Sequence, residues 1–536
     1  MKKFIPIFLS VALLFSLAAC GNKAEETPQT DAQDDAVQDM PVTDTSETKI
    51  DGVKINLSDD GITVDGEPIS TSADADVYAA NDIVFYLEGQ GFTYGEGEAS
   101  DEHSQEEADA HTVVHITKAG TYILRGVLSS GQIAVDLGED AEDDPNAVVT
   151  LVLDSANITC TVAPAVIFYN VYECGNKDNA TMDVDTSAAG ANVIIADSSR
   201  NSITGSHVAR IYKEYTLSDD GTEVTDSKKL HKYDAAFYSK MSMNIDGESN
   251  NAGQLIITAD NEGLDTEMHL TINGGKIVIY SGNDGINTNE DGVSVTTING
   301  GTVSINVTGE TGEGDGIDSN GWLVINGGAV SANACGFSGD SGIDADNGVY
   351  INGGTVFAFG NMLDELRGDG TYAVFAFSER QKGFSSYILK DSDGEAVLSA
   401  YATNDFTYMV LSANYLLPGE YTLWQGDTQL GAAMGEFGGT KGGMGGMQPP
   451  DGEVSEMPEG EAPQMPNGAA PEIPQRERPE MPEGEMPQSP DGQAPEDFDG
   501  RTPGGFGNMP EGDAVSNIFT ITKGANFFSN VSPWVE

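Results

Sequence analysis

Ile272-Asn273-Gly274-Gly275-Lys276-Ile277-Val278-Ile279 returns in altered form as Ile298-Asn299-Gly300-Gly301-Thr302-Val303-Ser304-Ile305, and Ile-Asn-Gly-Gly recurs at Ile325 and Ile351. The four copies start 26, 27 and 26 residues apart. So regular a period is the signature of one structural unit stacked on itself. Gly-Gly reads as a turn, and the alternating β-branched run after it as a strand of three or four residues. Between the copies lies a second motif: Gly263-Leu264-Asp265, Gly285-Ile286-Asn287, Gly316-Ile317-Asp318 and Gly342-Ile343-Asp344. Each sets one apolar residue between glycine and a short polar side chain, a turn with an inward knob. Short strands, glycine turns and this period describe one rung of a parallel β-helix.

Outward from the repeat, regular rungs run from about Tyr233 to Gly360, and residues 51–371 are expected to form the helix. Its first rungs are irregular, for example His115-Ile116-Thr117-Lys118-Ala119-Gly120-Thr121-Tyr122 and Val148-Val149-Thr150-Leu151-Val152-Leu153. Polar residues and the basic island Lys228-Lys229-Leu230-His231-Lys232 break the rhythm, so an insertion is expected at about 174–232. From 372 to 434 the strands lengthen. The last rung of a solenoid exposes apolar core and unpaired backbone, so this segment is expected to be a β-rich cap. Residues 435–512 are Pro/Met/Glu/Gly low complexity and hold 14 of the 22 prolines, enough to forbid sheet or long helix. Disorder is expected there, with 513–536, including Asn517-Ile518-Phe519-Thr520-Ile521-Thr522, returning to the cap as a strand.

Met1-Lys2-Lys3, an apolar run from Phe4 to Leu17 and Ala18-Ala19-Cys20 make a secretory signal over 1–20. The apolar run is too short to span a bilayer. Leu17-Ala18-Ala19-Cys20 resembles the lipobox of bacterial lipoproteins, which implies lipidation of Cys20 and an extracellular, membrane-anchored protein. Residues 21–50, polar and poor in bulky side chains, are expected to be a disordered tether. The net charge of −61 makes nucleic acid an unsuitable partner, because binding it needs basic patches to displace counterions. Cys160, Cys174 and Cys335 do not make a disulfide framework. Cys160 and Cys174 are the candidate pair for a bridge, and Cys335 reads as a small core residue.

Stacking the rungs aligns Asn273, Asn299, Asn326 and Asn352, whose amides can hydrogen-bond from rung to rung. It also aligns Asp265, Asn287, Asp318 and Asp344, with Glu262, Asp284, Asp315 and Asp340 close by. Rungs are about 4.8 Å apart. Two carboxylates at that distance repel by roughly 3 kcal/mol at an effective dielectric near 20. Such a column needs water or a cation to shield it. Oxygen-only ligands on glycine turns suit Ca²⁺, so Asp265, Asp284, Asn287, Asp315, Asp318, Asp340 and Asp344 are the candidate metal ligands.

Ile116-Thr117-Lys118-Ala119-Gly120-Thr121-Tyr122, Gly131-Gln132-Ile133, Asp234-Ala235-Ala236-Phe237-Tyr238-Ser239-Lys240 and the rung motifs together resemble one family. It is the bacterial carbohydrate-binding lipoproteins built on a right-handed, pectate-lyase-like parallel β-helix. The resemblance implies calcium binding and a plant cell-wall polysaccharide partner, cellulose or pectic. Family rungs often follow Asp-Gly-Ile with lysine, where this chain has Asn287, Asp318 and Asp344. Between Met241 and Thr371 the cationic residues are Lys276 and Arg367 alone, sparse provision for a β-elimination base. Calcium-dependent polysaccharide binding without catalysis is therefore the expected function. The alternatives are a structural or adhesive surface protein and a calcium-dependent lyase. Trp322, Tyr280, Tyr350 and Phe357 are the candidate sugar-stacking aromatics.

Overall fold

The computed structural model describes residues 48–175, 180–434 and 515–535. Three stacks of parallel strands form its main body. The first contains Val53–Leu57, the starts of Gly120–Leu128 and Val149–Thr159, then Ala191–Ile195, Met243–Gly247, Leu270–Ile272, Val295–Ile298, Trp322–Ile325, Val349–Ile351 and Leu366–Arg367. The second runs from the end of Val149–Thr159 through Arg200–Gly205, Gln254–Ala259, Lys276–Ser281, Thr302–Val307 and Ala329–Asn333 to Thr355–Gly360. The third holds Thr112–Ile116, Gly131–Asp136, Val166–Asn170, Ala235–Ser239, Glu262–Thr266 and Ile286–Thr288, with Ile317 bridged to Ile286. One strand per rung joins each stack, so the 26-residue spacing is one circuit of the chain.

Register explains the repeat. Leu151, Val193, Ile245, Ile272, Ile298, Ile325 and Ile351 form one unexposed column of the first stack. Phe237, Leu264, Ile286 and Ile317 form another in the third. Each such side chain contributes roughly 1.5–3 kcal/mol by leaving water. The glycine ahead of each knob is fixed by crowding. A Cβ on Gly316 would lie 2.3 Å from the Gly342 carbonyl oxygen, and one on Gly285 would lie 2.5 Å from that of Gly316. In Ile-Asn-Gly-Gly the second glycine turns the chain at positive φ, +78° at Gly301 and +77° at Gly328, a region that other residues enter only at a cost.

Both ends are closed by antiparallel strands. Val77–Ala80 covers Thr112–Ile116 at one end. At the other, Phe406–Ala413 pairs with Thr355–Gly360 and with Tyr372–Gln381. Ala525–Pro533 joins both Tyr372–Gln381 and Thr428–Met434. This closing unit has its own aromatic core, including Phe359, Phe375, Tyr387, Phe406, Phe519 and Phe528. It removes the exposed edge that the last rung would otherwise present.

Three expectations need correction. The insertion is narrower than 174–232, because Ala191–Ile195 and Arg200–Gly205 are ordinary rung strands. The true excursion is the hairpin Val208–Leu217 with Val224–Tyr233. Polar flanks hid the short apolar alternation of 191–205. Residues 48–50, expected in the tether, already meet the helix: the Thr48 hydroxyl donates to Glu248 at 3.0 Å. Cys160, Cys174 and Cys335 are all free thiols, so the weighed bridge is not formed. Residues 1–47, with Cys20, and the low-complexity segment lie outside the described residues.

Candidate functional site

The acidic residues gather in two places on the face carrying the Gly-Ile-Asp turns. In the first, one carboxylate oxygen each from Asp234, Glu262 and Asp265 lies within 4.8 Å of the other two, and all three residues are buried. Pairing of Ala235–Ser239 with Glu262–Thr266 sets this up, with Ala235 opposite Glu262 and Tyr238 opposite Asp265. Asn287 sits one rung on, opposite Asp265. Its amide donates to Glu262 Oε1 at 3.1 Å, and Asn289 donates to Asp265 Oδ1 at 2.8 Å. Glu262 Oε2, Asp265 Oδ2 and Asn287 Oδ1 are buried acceptors without a donor. Burial first, then the neighbouring carboxylates, holds Glu262 and Asp265 well above the usual carboxylate range.

The hairpin closes over this site. Its second strand runs directly into Asp234, placing Lys232 Nζ 2.5 Å from the Asp234 carboxylate and Lys229 Nζ 2.8 Å from Glu267. Burial alone would lower the Lys232 amine; Asp234 overrides it and holds it above the ordinary value. When ionised, the three carboxylates outnumber Lys232 by two charges, since Lys229 and Glu267 neutralise each other. Orphaned oxygens and a deficit of two positive charges fit a divalent cation with hard oxygen ligands.

The second cluster is Asp315, Asp318 and Asp344, half-buried, again with one oxygen each within 4.8 Å of the others. Burial and then Asp346 and Asp364 push Asp318 up to about 6. Burial and then Asp364 and Asp318 push Asp344 up to about 7. The nearby cation Arg367 is paired with Glu365 at 2.6 Å.

The structure thus divides the expected metal ligands. Asp265, with Asn287 beside it, belongs to the first cluster; Asp315, Asp318 and Asp344 form the second. Asp284 and Asp340 are in neither triad. The Asp284 carboxylate accepts from the Asp315 amide at 2.6 Å, and Asp340 accepts from the Gly314 amide at 2.6 Å and from the Ser338 hydroxyl. Their role is to tie rungs and turns together. Asp234 and Asp364 were missed because neither occupies a repeat position, and Glu262, although beside the column, was not among the expected ligands. The signal for Asp234 was its place immediately ahead of a rung strand, three residues before the apolar knob Phe237.

The asparagines form an unbroken ladder. Asn352 donates to Asn326 at 2.9 Å, Asn326 to Asn299 at 3.0 Å, and Asn299 to Asn273 at 2.9 Å. The aromatics do not form one row. Trp322 and Tyr350 lie on strands of the first stack, whereas Tyr280 and Phe357 lie on the second. Arg367 sits 5.6 Å from the centre of the Tyr350 ring.

With this geometry in hand, comparison with known proteins finds a family model that matches part of the chain. Residues 110–364 match the family described as carbohydrate-binding domain-containing protein. That segment contains both acidic clusters and the asparagine ladder, in agreement with the resemblance carried by the rung motifs. A solved structure titled "polysaccharide lyase-like protein from C. thermocellum", a gadolinium derivative, aligns at 21% identity. The alignment covers 59% of this chain and 94% of that one, with a TM-score of 0.33, too loose a superposition to bear on function. No curated protein matches the chain.

Proposed function

We propose that this protein is a surface lipoprotein that binds plant cell-wall-type polysaccharide without cleaving it, on a right-handed β-helix braced by calcium. The observation that carries the proposal is the pair of acidic clusters built into the matched domain. Asp234, Glu262, Asp265 and Asn287 would hold one ion, and Asp315, Asp318 and Asp344 another. Bound there, Ca²⁺ would supply charge neutralisation between rungs and an anchor for oxygen-rich ligands. The chain's own residues fix the donors in register, bury them, and close one site with the Lys229–Lys232 hairpin.

Several features favour binding over elimination chemistry. A lyase base must be neutral when it takes the proton. Lys229 and Lys232, the cations over the first triad, are both ion-paired, and Asp234 strengthens the charge on Lys232. Lys240 points away and donates to Asn170 at 3.3 Å. Anchoring rests on Leu17-Ala18-Ala19-Cys20, and labelled palmitate incorporation lost in Cys20→Ala would support it.

Two measurements test the whole reading. Calorimetric titration of chelator-stripped protein should give saturable heat with Ca²⁺. Pull-down on cellulose and on pectate gels should retain the protein and weaken with chelator. Absence of both would end the proposal, and ultraviolet-absorbing unsaturated product from pectate would replace binding with catalysis.

A further inference from the structure

The outer surface of the first stack differs in chemistry from the acidic face. A cleft of about 390 Å³ opens there, lined by Asp185, Asn192, Asp246, Asn273, Thr297 and Asn299 among others, and by neither lysine nor arginine. One wall is the segment 184–187, fastened by a 2.7 Å hydrogen bond between the Thr186 and Thr271 hydroxyls. Asn244 adds a bond from its amide to the Thr186 carbonyl at 2.8 Å.

The asparagine ladder runs out of this cleft. Asn273 hydrogen-bonds Asp246 at its inner end, and Asn326 and Asn352 continue it beyond the cleft. Each rung-to-rung bond uses one N–H and one acceptor lone pair of an amide that offers two of each. All four asparagines are exposed. Every rung therefore presents one spare donor and one spare acceptor, at about 4.8 Å intervals. Tyr350 and Trp322 lie on the same stack beside the ladder's far half.

We propose that the cleft and its amide ladder are the docking track for an extended neutral polysaccharide, a β-1,4-linked pyranose chain lying along the solenoid axis. This rests on the carbohydrate-binding reading and adds the site and the sugar class. An extended chain of that linkage advances by close to one rung per sugar, so successive hydroxyls meet successive amides. Asp185 and Asp246 accept from hydroxyls in the cleft, and Trp322 offers its ring to sugar C–H groups further on. The class follows from charge. A polyuronate laid in the cleft would meet two acidic side chains with no cation among the lining residues, and the protein carries a net −61. The acidic clusters belong to the Gly-Ile-Asp face and do not line the cleft.

The test uses the full chain in saturating Ca²⁺, with cellohexaose and hexagalacturonate as probes. Thr297→Trp fills the cleft from an outward-facing position, and Asn299→Leu interrupts the track without adding bulk. Each should weaken cellohexaose binding at least tenfold while calcium binding is kept. Ser304→Ala, on the second stack, should bind as the parent does. Parent-like binding by both cleft variants would overturn the site, and stronger binding of hexagalacturonate than of cellohexaose would overturn the sugar class. If the parent binds neither probe and no polysaccharide gel, the carbohydrate reading itself fails and takes this inference with it.

Discussion

Removing calcium should make the protein lose stability as pH rises, the reverse of ordinary acid denaturation. Asp344 moves from an ordinary 3.8 to about 7 in the folded chain, and Asp318 to about 6. A carboxyl raised by folding binds its proton more tightly in the native state. Its contribution is therefore complete below about pH 4 and is lost as pH climbs through the folded value. At about 1.4 kcal/mol per pH unit, the Asp344 shift corresponds to a loss on the order of 4 kcal/mol between pH 4 and 7. Asp318 and Asp344 act on each other, so their effects are not summed. Calcium binding only the folded state returns about 2.7 kcal/mol at a hundredfold excess over its Kd. The assay is urea unfolding at pH 5 and pH 7.5, with chelator and with calcium. Chelated protein should unfold at lower urea at pH 7.5 than at pH 5, calcium should close the gap, and Asp344→Asn should shrink it in chelator. Midpoints are the quantity to compare, because stacked repeats need not unfold in one step. A chelated midpoint that stays level or rises with pH, unaltered by Asp344→Asn, would refute the reasoning.

Gly316→Ala places a methyl 2.3 Å from the Gly342 carbonyl and should destabilise by about 3 kcal/mol or more, read from the urea midpoint. Asn326→Ala removes two exposed ladder bonds, at about 1 kcal/mol by the same assay. Lys232→Gln deletes the cation 2.5 Å from Asp234 and should tighten calcium at the first cluster roughly tenfold by titration calorimetry. Burial pushes the Cys160 thiol up to about 11, leaving about one thiolate in a thousand at pH 8. Alkylation followed by mass spectrometry should leave Cys160 unmodified until the chain is unfolded.

What was legible in the sequence was what repeats. Ile-Asn-Gly-Gly announced its own register because one residue type must recur wherever rungs touch. Asn273 through Asn352 stack as expected for that reason, and Asp318 and Asp344 meet because they share a repeat position. Asp234 and Asp364 were not legible because their contacts with the clusters are made by elements outside the motif. The hairpin over the first triad was hidden likewise: Lys229 and Lys232 read as a surface island until the fold brings them down on Glu267 and Asp234. The cleft depends on 184–187 folding against Thr271 and Asn244, contacts far apart in the chain that no local pattern encodes.

The asparagine ladder has a direction. Every link donates from the later rung to the earlier one, from Asn352 down to Asn273 and on to the Asp246 carboxylate, while the Asp369 amide lies 3.4 Å from Asn352 Oδ1 at the top. Side-chain dipoles aligned head to tail polarise one another, so each link strengthens its neighbours. Duplicating or deleting a whole repeat would preserve that alignment, whereas losing part of one would cut it. Evolution along this axis is therefore quantised, with the chain free to change length only by complete turns.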